Sequence, residues 1–237
     1  MGNTEVTNKI YGKPLVILSE MCFGYYEGMF LPFFALYENN RIIYRKETNN
    51  EKMDYFEVIL NEDEKIDFIK SLPFDNMYKL NEKEIDASGG WTDQPLSVLE
   101  LNINRYIKIR VDGDNEKYIP KDYLLIYNAL INYKNIKAQI WYPEKICVMF
   151  NKAYSDEKAE KWPEKFPKIN LNEKKDDRDN LPLILENKYL KDFFIFYNNL
   201  PEFPNIEFEN NLYSIHYNME YPNIIYDESI DWEEDDE

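Results

Sequence analysis

An alternation of apolar and polar side chains in residues 96–113 constrains the fold of this chain more than any other feature. In the stretch LSVLELNINRYIKIRVDG, apolar side chains take every second position, at Leu99, Leu101, Ile103, Ile107, Ile109 and Val111. A period of two residues is typical of half-buried antiparallel strands. We predict two such strands with a turn near Asn104.

Five other segments have the composition of strands. They are PLVILSEM (14–21), FFALYE (33–38), RIIYRKE (41–47), DYFEVIL (54–60) and EKICVMF (144–150). Asparagine tolerates the backbone angles that tight hairpin turns require. Asn39 with Asn40 therefore predicts one hairpin, and Asn210 with Asn211 predicts another in IEFENNLYSIHYNMEY.

Three helices are predicted. The first begins at Asn61, with Glu64 three residues on in a capping-box arrangement, and ends at Pro73. The second follows Pro120, and the third covers 187–200. That last helix is apolar on most of its circumference, so it is expected to be enclosed on several sides or completed by a partner. The fold class is therefore α+β: antiparallel sheets built from hairpins, with about three packed helices.

The chain of 237 residues is long enough to bury a core without disulfides or metals. We divide it into an α+β body (1–150), a charged connection marked by prolines (151–182), a C-terminal helix and hairpin (183–226) and an acidic tail (227–237). The C-terminal helix and hairpin are expected to pack on the body as one domain.

The net charge of −17 narrows the class of partner. A negative protein repels phosphate backbones, so direct binding of nucleic acid is not expected. The tail DESIDWEEDDE holds eight acidic residues and no basic ones, which is about half of the excess. The expected partner is instead a basic protein.

The start of the chain, MGNTEVTNKIYGK, lacks the basic and apolar regions of a secretory signal, and no apolar run reaches the length of a membrane span. We expect a cytoplasmic protein without membrane contact. Cys22 and Cys147 both have apolar neighbours, which favours buried, reduced thiols, with one disulfide as the alternative.

Motifs for catalysis, cofactors and metals are missing from the sequence, and we assign none. Phosphate-binding glycine loops precede a helix, whereas Gly89 and Gly90 precede a strand. The sole histidine, His216, alternates with other polar side chains and is interpreted as a polar-face residue. The segment 112–123 begins like a calcium loop but has Lys117 at the glycine position, so it is interpreted as a polar turn.

The loop SGGWTDQP (88–95) contains two of the seven glycines. Adjacent glycines permit backbone angles closed to other residues, and Asp93 is expected to accept hydrogen bonds from nearby amides. The glycines and Asp93 are thus explained by the structure of the turn, but the turn does not require a tryptophan at position 91. We expect its ring to lie over the end of the sheet, the alternative being an exposed contact residue.

Three stretches, TDQPLSVLELNINRYIKIRVDG (92–113), QIWYPEKICVMF (139–150) and WPEKFP (162–167), resemble a group of bacterial proteins with a W-x-PE-x-I-x-V-M-like segment. In charge and composition the chain is also similar to acidic immunity proteins that neutralise bacterial toxins. The likeness implies a non-catalytic protein that binds and inhibits a basic partner such as a toxin, for example a nuclease. The candidate contact residues are Trp91, Asp93, Trp141, Trp232, Glu233, Glu234, Asp235, Asp236 and Glu237.

Two alternatives stay open from the sequence. A carboxylate- or metal-dependent enzyme would use Asp112, Asp114 and Glu116. A self-associating structural subunit would use the apolar circumference of 187–200. The oligomeric state does not follow from the sequence.

Overall fold

The structure is a computed structural model. It describes residues 11–21, 31–47, 53–80, 84–91, 94–153, 159–169, 181–201, 205–219 and 221–224. Cys22, Asp93 and the acidic tail with Trp232 lie outside these ranges. The described residues form two mostly antiparallel sheets and four helices, which confirms the α+β class.

The chain divides into two compact units. The first contains residues 1–46, 56–139 and 221–237, and the second contains 47–55 and 140–220. The described part of the 151–182 segment and all of the C-terminal helix and hairpin therefore belong to the second unit.

The larger sheet has eight strands in the order β5-β7-β6-β1-β2-β3-β4-β8. Their bounds are β1 Pro14–Met21, β2 Leu31–Tyr37, β3 Arg41–Glu47, β4 Met53–Ile59, β5 Glu84–Asp86, β6 Leu96–Asn102, β7 Tyr106–Asp112 and β8 Gln139–Ile140. Strands β6 and β7 pair antiparallel around Asn104, as the alternation predicts. Asn40 takes a φ of 68° in the β2–β3 turn, which confirms that hairpin.

Three helices, α1 Glu62–Ser71, α2 Phe74–Met77 and α3 Lys121–Ile131, contribute to the first unit. The side chain of Asn61 accepts a hydrogen bond from the Glu64 amide at 2.8 Å, and the Glu64 carboxylate accepts one from the Asn61 amide at 2.8 Å. The predicted capping box is therefore present. Helix α3 begins directly after Pro120 and buries Tyr123, Ile126 and Leu130.

The core of the first unit consists of aliphatic and aromatic side chains from the sheet and from α2 and α3. Strand β7 alternates buried and partly exposed positions, as expected for one covered face. The first four residues of β6 are all buried, so that strand is covered on both faces there.

The second unit contains a five-stranded sheet in the order β10-β12-β13-β9-β11. Its elements are β9 Lys145–Lys152, β10 Glu160–Lys161, β11 Leu181–Glu186, α4 Asn187–Asn198, β12 Asn205–Phe208 and β13 Asn211–Met219. The predicted C-terminal hairpin is present, but its turn residues are Glu209 and Asn210, with φ of 48° and 62°. Strand β11 was not predicted, because LPLILE lies next to an apolar helix without a turn between them.

Helix α4 packs within its unit through one face, so the expected enclosure on several sides is wrong: the residues at 187, 188, 191, 192 and 195 are all exposed. Leu190, Phe193 and Phe194 are buried, whereas Ile195 is 55% exposed. The helix thus uses most of its apolar side chains for packing in its own unit. Among the described residues, none of the helices is long and apolar enough to cross a membrane.

Candidate functional site

Trp91 is the most exposed tryptophan for which the structure gives a position. Its side chain is 77% exposed, so the expectation that it lies over the end of the sheet is wrong. Its amide donates to the Ser88 carbonyl at 3.3 Å, which closes a turn through Gly89 and Gly90 with φ of 63° and 86°. The left-handed angles predicted for these glycines are therefore present, and the turn leaves the indole at the surface.

Two loops, 86–91 and 112–118, are joined through their backbones beside Trp91. The Ala87 amide donates to the Asp112 carbonyl at 2.6 Å, and the Asn115 amide donates to the Ala87 carbonyl at 3.1 Å. A Cβ atom on Gly113 would lie 2.4 Å from the carbonyl carbon of Ala87. This direct backbone contact holds the two loops side by side.

Asp86 organises the turn that carries Trp91. Its carboxylate accepts hydrogen bonds from the Ser88 amide at 3.0 Å and from the Ser88 hydroxyl at 2.7 Å. These two bonds stabilise the ionised form and lower the pKa of Asp86 below its usual value. The Ser88 hydroxyl in turn accepts from the Gly90 amide at 3.1 Å. Asp86 therefore has the role that we expected of Asp93, which lies outside the described residues.

The same loops present carboxylates to solvent. Asp112, Asp114 and Glu116 are exposed, and Tyr118 is 51% exposed with the Lys117 amine 5.5 Å from its ring centre. We call Trp91, Tyr118 and these three carboxylates the Trp91 surface. It combines aromatic area with negative charge, the composition suited to contact with a basic protein.

Trp141, the second tryptophan proposed as a contact residue, belongs to the second unit and is only 6% exposed. Its ring centre lies 6.4 Å from that of Tyr55, and its amide donates to the Tyr55 carbonyl at 2.8 Å. Ile146 and Val148 of the same segment are also buried. Most of the W-x-PE-x-I-x-V-M-like pattern therefore consists of packing residues.

Trp162 of the WPEKFP segment is likewise a core residue, with 7% of its surface exposed. Its ring meets Phe150 edge-on at 4.9 Å, and its indole N–H donates to the Pro167 carbonyl at 3.1 Å. A buried indole with a satisfied N–H is a structural arrangement. The charged composition of 151–182 predicts a connecting segment and does not indicate that Trp162 belongs to the core.

A cleft of about 260 Å³ lies beside α4 in the second unit. Its lining combines an aromatic floor with exposed apolar and polar groups: Asp54, Tyr55, Ile140, Trp141, Tyr142, Lys191, Phe194, Ile195, Asn198 and Asn199. Ile140 and Ile195 are each 55% exposed. Burial and the nearby Asp54 charge both raise the pKa of Tyr142 above its usual value. Sequence patterns did not indicate this cleft.

His216 lies on β13, on the face of the five-stranded sheet opposite α4, in agreement with its interpretation as a polar-face residue. Its Nδ1 lies 3.2 Å from the side-chain nitrogen of Asn151. Burial disfavours the charged imidazolium and lowers the pKa of His216 below its usual 6.5.

The pKa of His216 predicts a loss of stability in mild acid. His216 takes up a proton near pH 6.5 in the unfolded chain and only at lower pH in the folded protein. Its contribution to the free energy of unfolding is therefore complete above pH 6.5 and declines as the pH falls below that value. Proton NMR titration of the one histidine should give a folded pKa below 6.5. His216→Gln should remove this part of the decline in urea-unfolding free energy between about pH 7 and 5.5. A folded pKa at or above 6.5 would contradict the prediction.

The carboxylates named for the enzyme alternative belong to the Trp91 surface. Among the residues with described positions, no group of three or more histidine, cysteine, aspartate and glutamate side chains is arranged to hold a metal ion. Cys147 is a half-buried thiol rather than half of a disulfide. Trp232 and the acidic residues 233–237 lie outside the described residues.

Comparison with models of protein families, with curated proteins and with solved structures finds no match for this chain.

Proposed function

We propose that this protein is a non-catalytic binding protein that captures a basic protein partner, most concretely as the immunity protein of a bacterial toxin. The observation that carries the proposal is the Trp91 surface. There an indole that is 77% exposed stands on a braced loop beside the exposed carboxylates of Asp112, Asp114 and Glu116.

The bracing of this loop favours tight binding. Tryptophan is enriched among the few residues that supply most of the energy of protein interfaces. A side chain on a mobile loop loses much of that energy when the loop becomes ordered on binding. Here the hydrogen bonds from Ser88 and Ala87 hold the loop before a partner arrives, so less entropy is lost.

The charge of the chain supports a basic partner. A net charge of −17 produces a negative potential that accelerates encounter with a positive protein and repels acidic ones. If the partner is a nuclease, the carboxylates of the Trp91 surface would occupy the channel that receives phosphates. Inhibition would then follow from occupancy and require no chemistry by this protein.

Trp91→Ala tests the proposal. The partner is first isolated with the tagged protein from its own cells at low and high salt, and binding is then measured with the two purified proteins. Loss of a central indole should weaken binding by about 30-fold, since interface hot spots contribute about 2 kcal/mol or more. Because Trp91 is exposed, the melting temperature of the protein should not change.

Tyr106→Ala is the matched control. Tyr106 is also an exposed aromatic residue, 56% accessible, but it lies at the opposite end of β7 from Asp112. Its removal should leave binding within about threefold, as for most interface-distant substitutions. Equal binding by Trp91→Ala and wild type, or a partner that is not basic, would overturn the proposal.

A further inference from the structure

The cleft beside α4 is formed by three segments of the second unit that are far apart in the chain. Lys191, Ile195 and Asn198 follow one another at intervals of four and three residues on α4, so they lie on one face of the helix. Asp54 on β4 and Ile140 on β8 line the same cleft. An acid, a base, an amide and two apolar side chains are therefore brought together.

The acid and the base of the cleft are not used in ion pairs. Asp54 and Lys191 carry opposite charges, yet within the described ranges neither is paired with the other or with a further charged group. Asp54 is half-buried and Lys191 is exposed. A ligand that carries both an ammonium group and a carboxylate is complementary to such a pair of charges.

The Asp54 carboxylate lies beside aromatic rings. Tyr142 and Phe194 stack with their ring centres 5.8 Å apart and their planes at 25°. Burial raises the pKa of Tyr142, and the charge of Asp54 raises it further, so the carboxylate is near this phenol. Carboxylates and the faces of aromatic rings both attract cations. This end of the cleft therefore favours an ammonium group.

The size and the apolar lining of the cleft limit the ligand to a small molecule with an apolar part. Its volume is about 260 Å³, which is below the range of about 300–1,000 Å³ that holds drug-sized ligands. Ile140 and Ile195 are each 55% exposed. A ligand that covers these two side chains gains the free energy of removing apolar surface from water.

We propose that this cleft binds a free α-amino acid with a large apolar side chain, such as phenylalanine. Asp54 accepts hydrogen bonds from the ammonium group of the ligand. Lys191 and the amide of Asn198 donate to its carboxylate, and its side chain contacts Ile140 and Ile195. A residue inside a peptide lacks both charges and does not match the cleft. The site uses residues of the second unit alone and does not depend on the proposed capture of a basic protein.

The test is an NMR titration of the full-length protein with L-phenylalanine, followed through the methyl signals of Ile140 and Ile195. We expect saturable shifts of both signals with a Kd of about 1 mM or below, which a ligand of this size can reach. Two analogues each lack one charge: 2-phenylethylamine has no carboxylate and 3-phenylpropionate has no ammonium group. Each should bind at least about tenfold more weakly, since it loses hydrogen bonds to a charged group.

Substitution of each charged residue should affect only the ligands that carry the opposite charge. Asp54→Asn should weaken binding of phenylalanine by about tenfold and leave binding of 3-phenylpropionate unchanged. Lys191→Met should weaken binding of phenylalanine by about tenfold and leave binding of 2-phenylethylamine unchanged. A variant in which the cleft does not form would bind none of the three compounds, so these pairs of measurements separate a lost contact from a lost fold.

Lys188→Met is the matched control. Lys188 is also an exposed lysine of α4, but it pairs with Glu186 at 2.9 Å and does not line the cleft. This variant should bind phenylalanine as the wild type does. Unshifted isoleucine signals, equal binding of the three compounds, unchanged binding in Asp54→Asn or Lys191→Met, or an equal loss in Lys188→Met would overturn the site. Shifts with a basic partner protein but not with phenylalanine would assign the cleft to a side chain of that partner and also overturn it.

Discussion

Gly113→Ala is expected to lower the free energy of unfolding by about 2–5 kcal/mol, one of the two largest effects of a single substitution that the structure predicts. Gly113 has a φ of 96°, where a side chain is strained. Its Cβ would lie 2.4 Å from the backbone carbon of Ala87 and 2.4 Å from the backbone nitrogen of Ser88. Backbone atoms cannot rotate away as the end of a side chain can, so the two loops must separate. Urea unfolding followed by circular dichroism measures the loss.

Gly90→Ala is the control for this prediction. Gly90 also has a positive φ, 86°, but a Cβ there would have no neighbour within 4 Å. Its replacement should therefore cost only the conformational strain, about 1–2 kcal/mol. The difference between the losses of unfolding free energy in Gly113→Ala and Gly90→Ala measures the energetic cost of separating the two loops. An equal loss in both would mean that the contact of Gly113 with Ala87 does not constrain the fold.

Gly113→Ala should also weaken partner binding if the Trp91 surface is the contact site. The loops that present Trp91 and the carboxylates are held by hydrogen bonds on either side of Gly113. Separation of the loops would displace the indole from the carboxylates.

Phe193→Ala is expected to lower the free energy of unfolding by about 3–5 kcal/mol, the usual range for removal of a buried phenylalanine. Phe193 is fully buried on α4. Its ring lies within 6.5 Å, centre to centre, of the rings of Trp162, Phe166, Phe194, Tyr197 and Tyr217. Truncation leaves a cavity that so many rigid rings cannot close. Near-ultraviolet circular dichroism in urea reports directly on this aromatic cluster.

Ile195→Ala, two residues on in the same helix, is the control for Phe193→Ala. Ile195 is 55% exposed, so its truncation removes little buried area and should cost less than about 1 kcal/mol. Similar losses for the two variants would show that α4 does not depend on Phe193 for its packing.

The elements that sequence patterns predicted are those whose stabilising contacts are close in the chain. The capping box joins Asn61 to Glu64, and the β6–β7 hairpin turns within a few residues of Asn104. The hairpin at Asn40 depends on the left-handed angle of one asparagine. In each case the residues that form the contact are only a few positions apart in the sequence.

The elements that were missed depend on distant partners. Strand β11 exists because it pairs with β9, about 35 residues earlier in the chain. Strand β5 pairs directly and in parallel with β7, although β6 lies between them in the sequence. Two-residue strands such as β8 and β10 have no pattern of their own. Their strand character comes from the neighbour and not from their composition.

The candidate site was predicted only in part for the same reason. Trp91, Asp112, Asp114 and Glu116 were all singled out from the sequence, but as members of different hypotheses. Only the backbone contact between the two loops brings them to one surface. Trp141 was proposed as a contact residue, yet its position beside Tyr55 leaves 6% of its surface exposed.

The sequence by itself determined the α+β class, the caps and turns of its local elements and the negative charge that favours a basic partner, because these depend on composition and on neighbours a few residues apart. The tertiary structure decided which tryptophans are exposed and which two loops bring Trp91 and the exposed carboxylates close together. Those outcomes require segments far apart in the chain to come into contact, and the register of each contact is set by packing that a single sequence does not display.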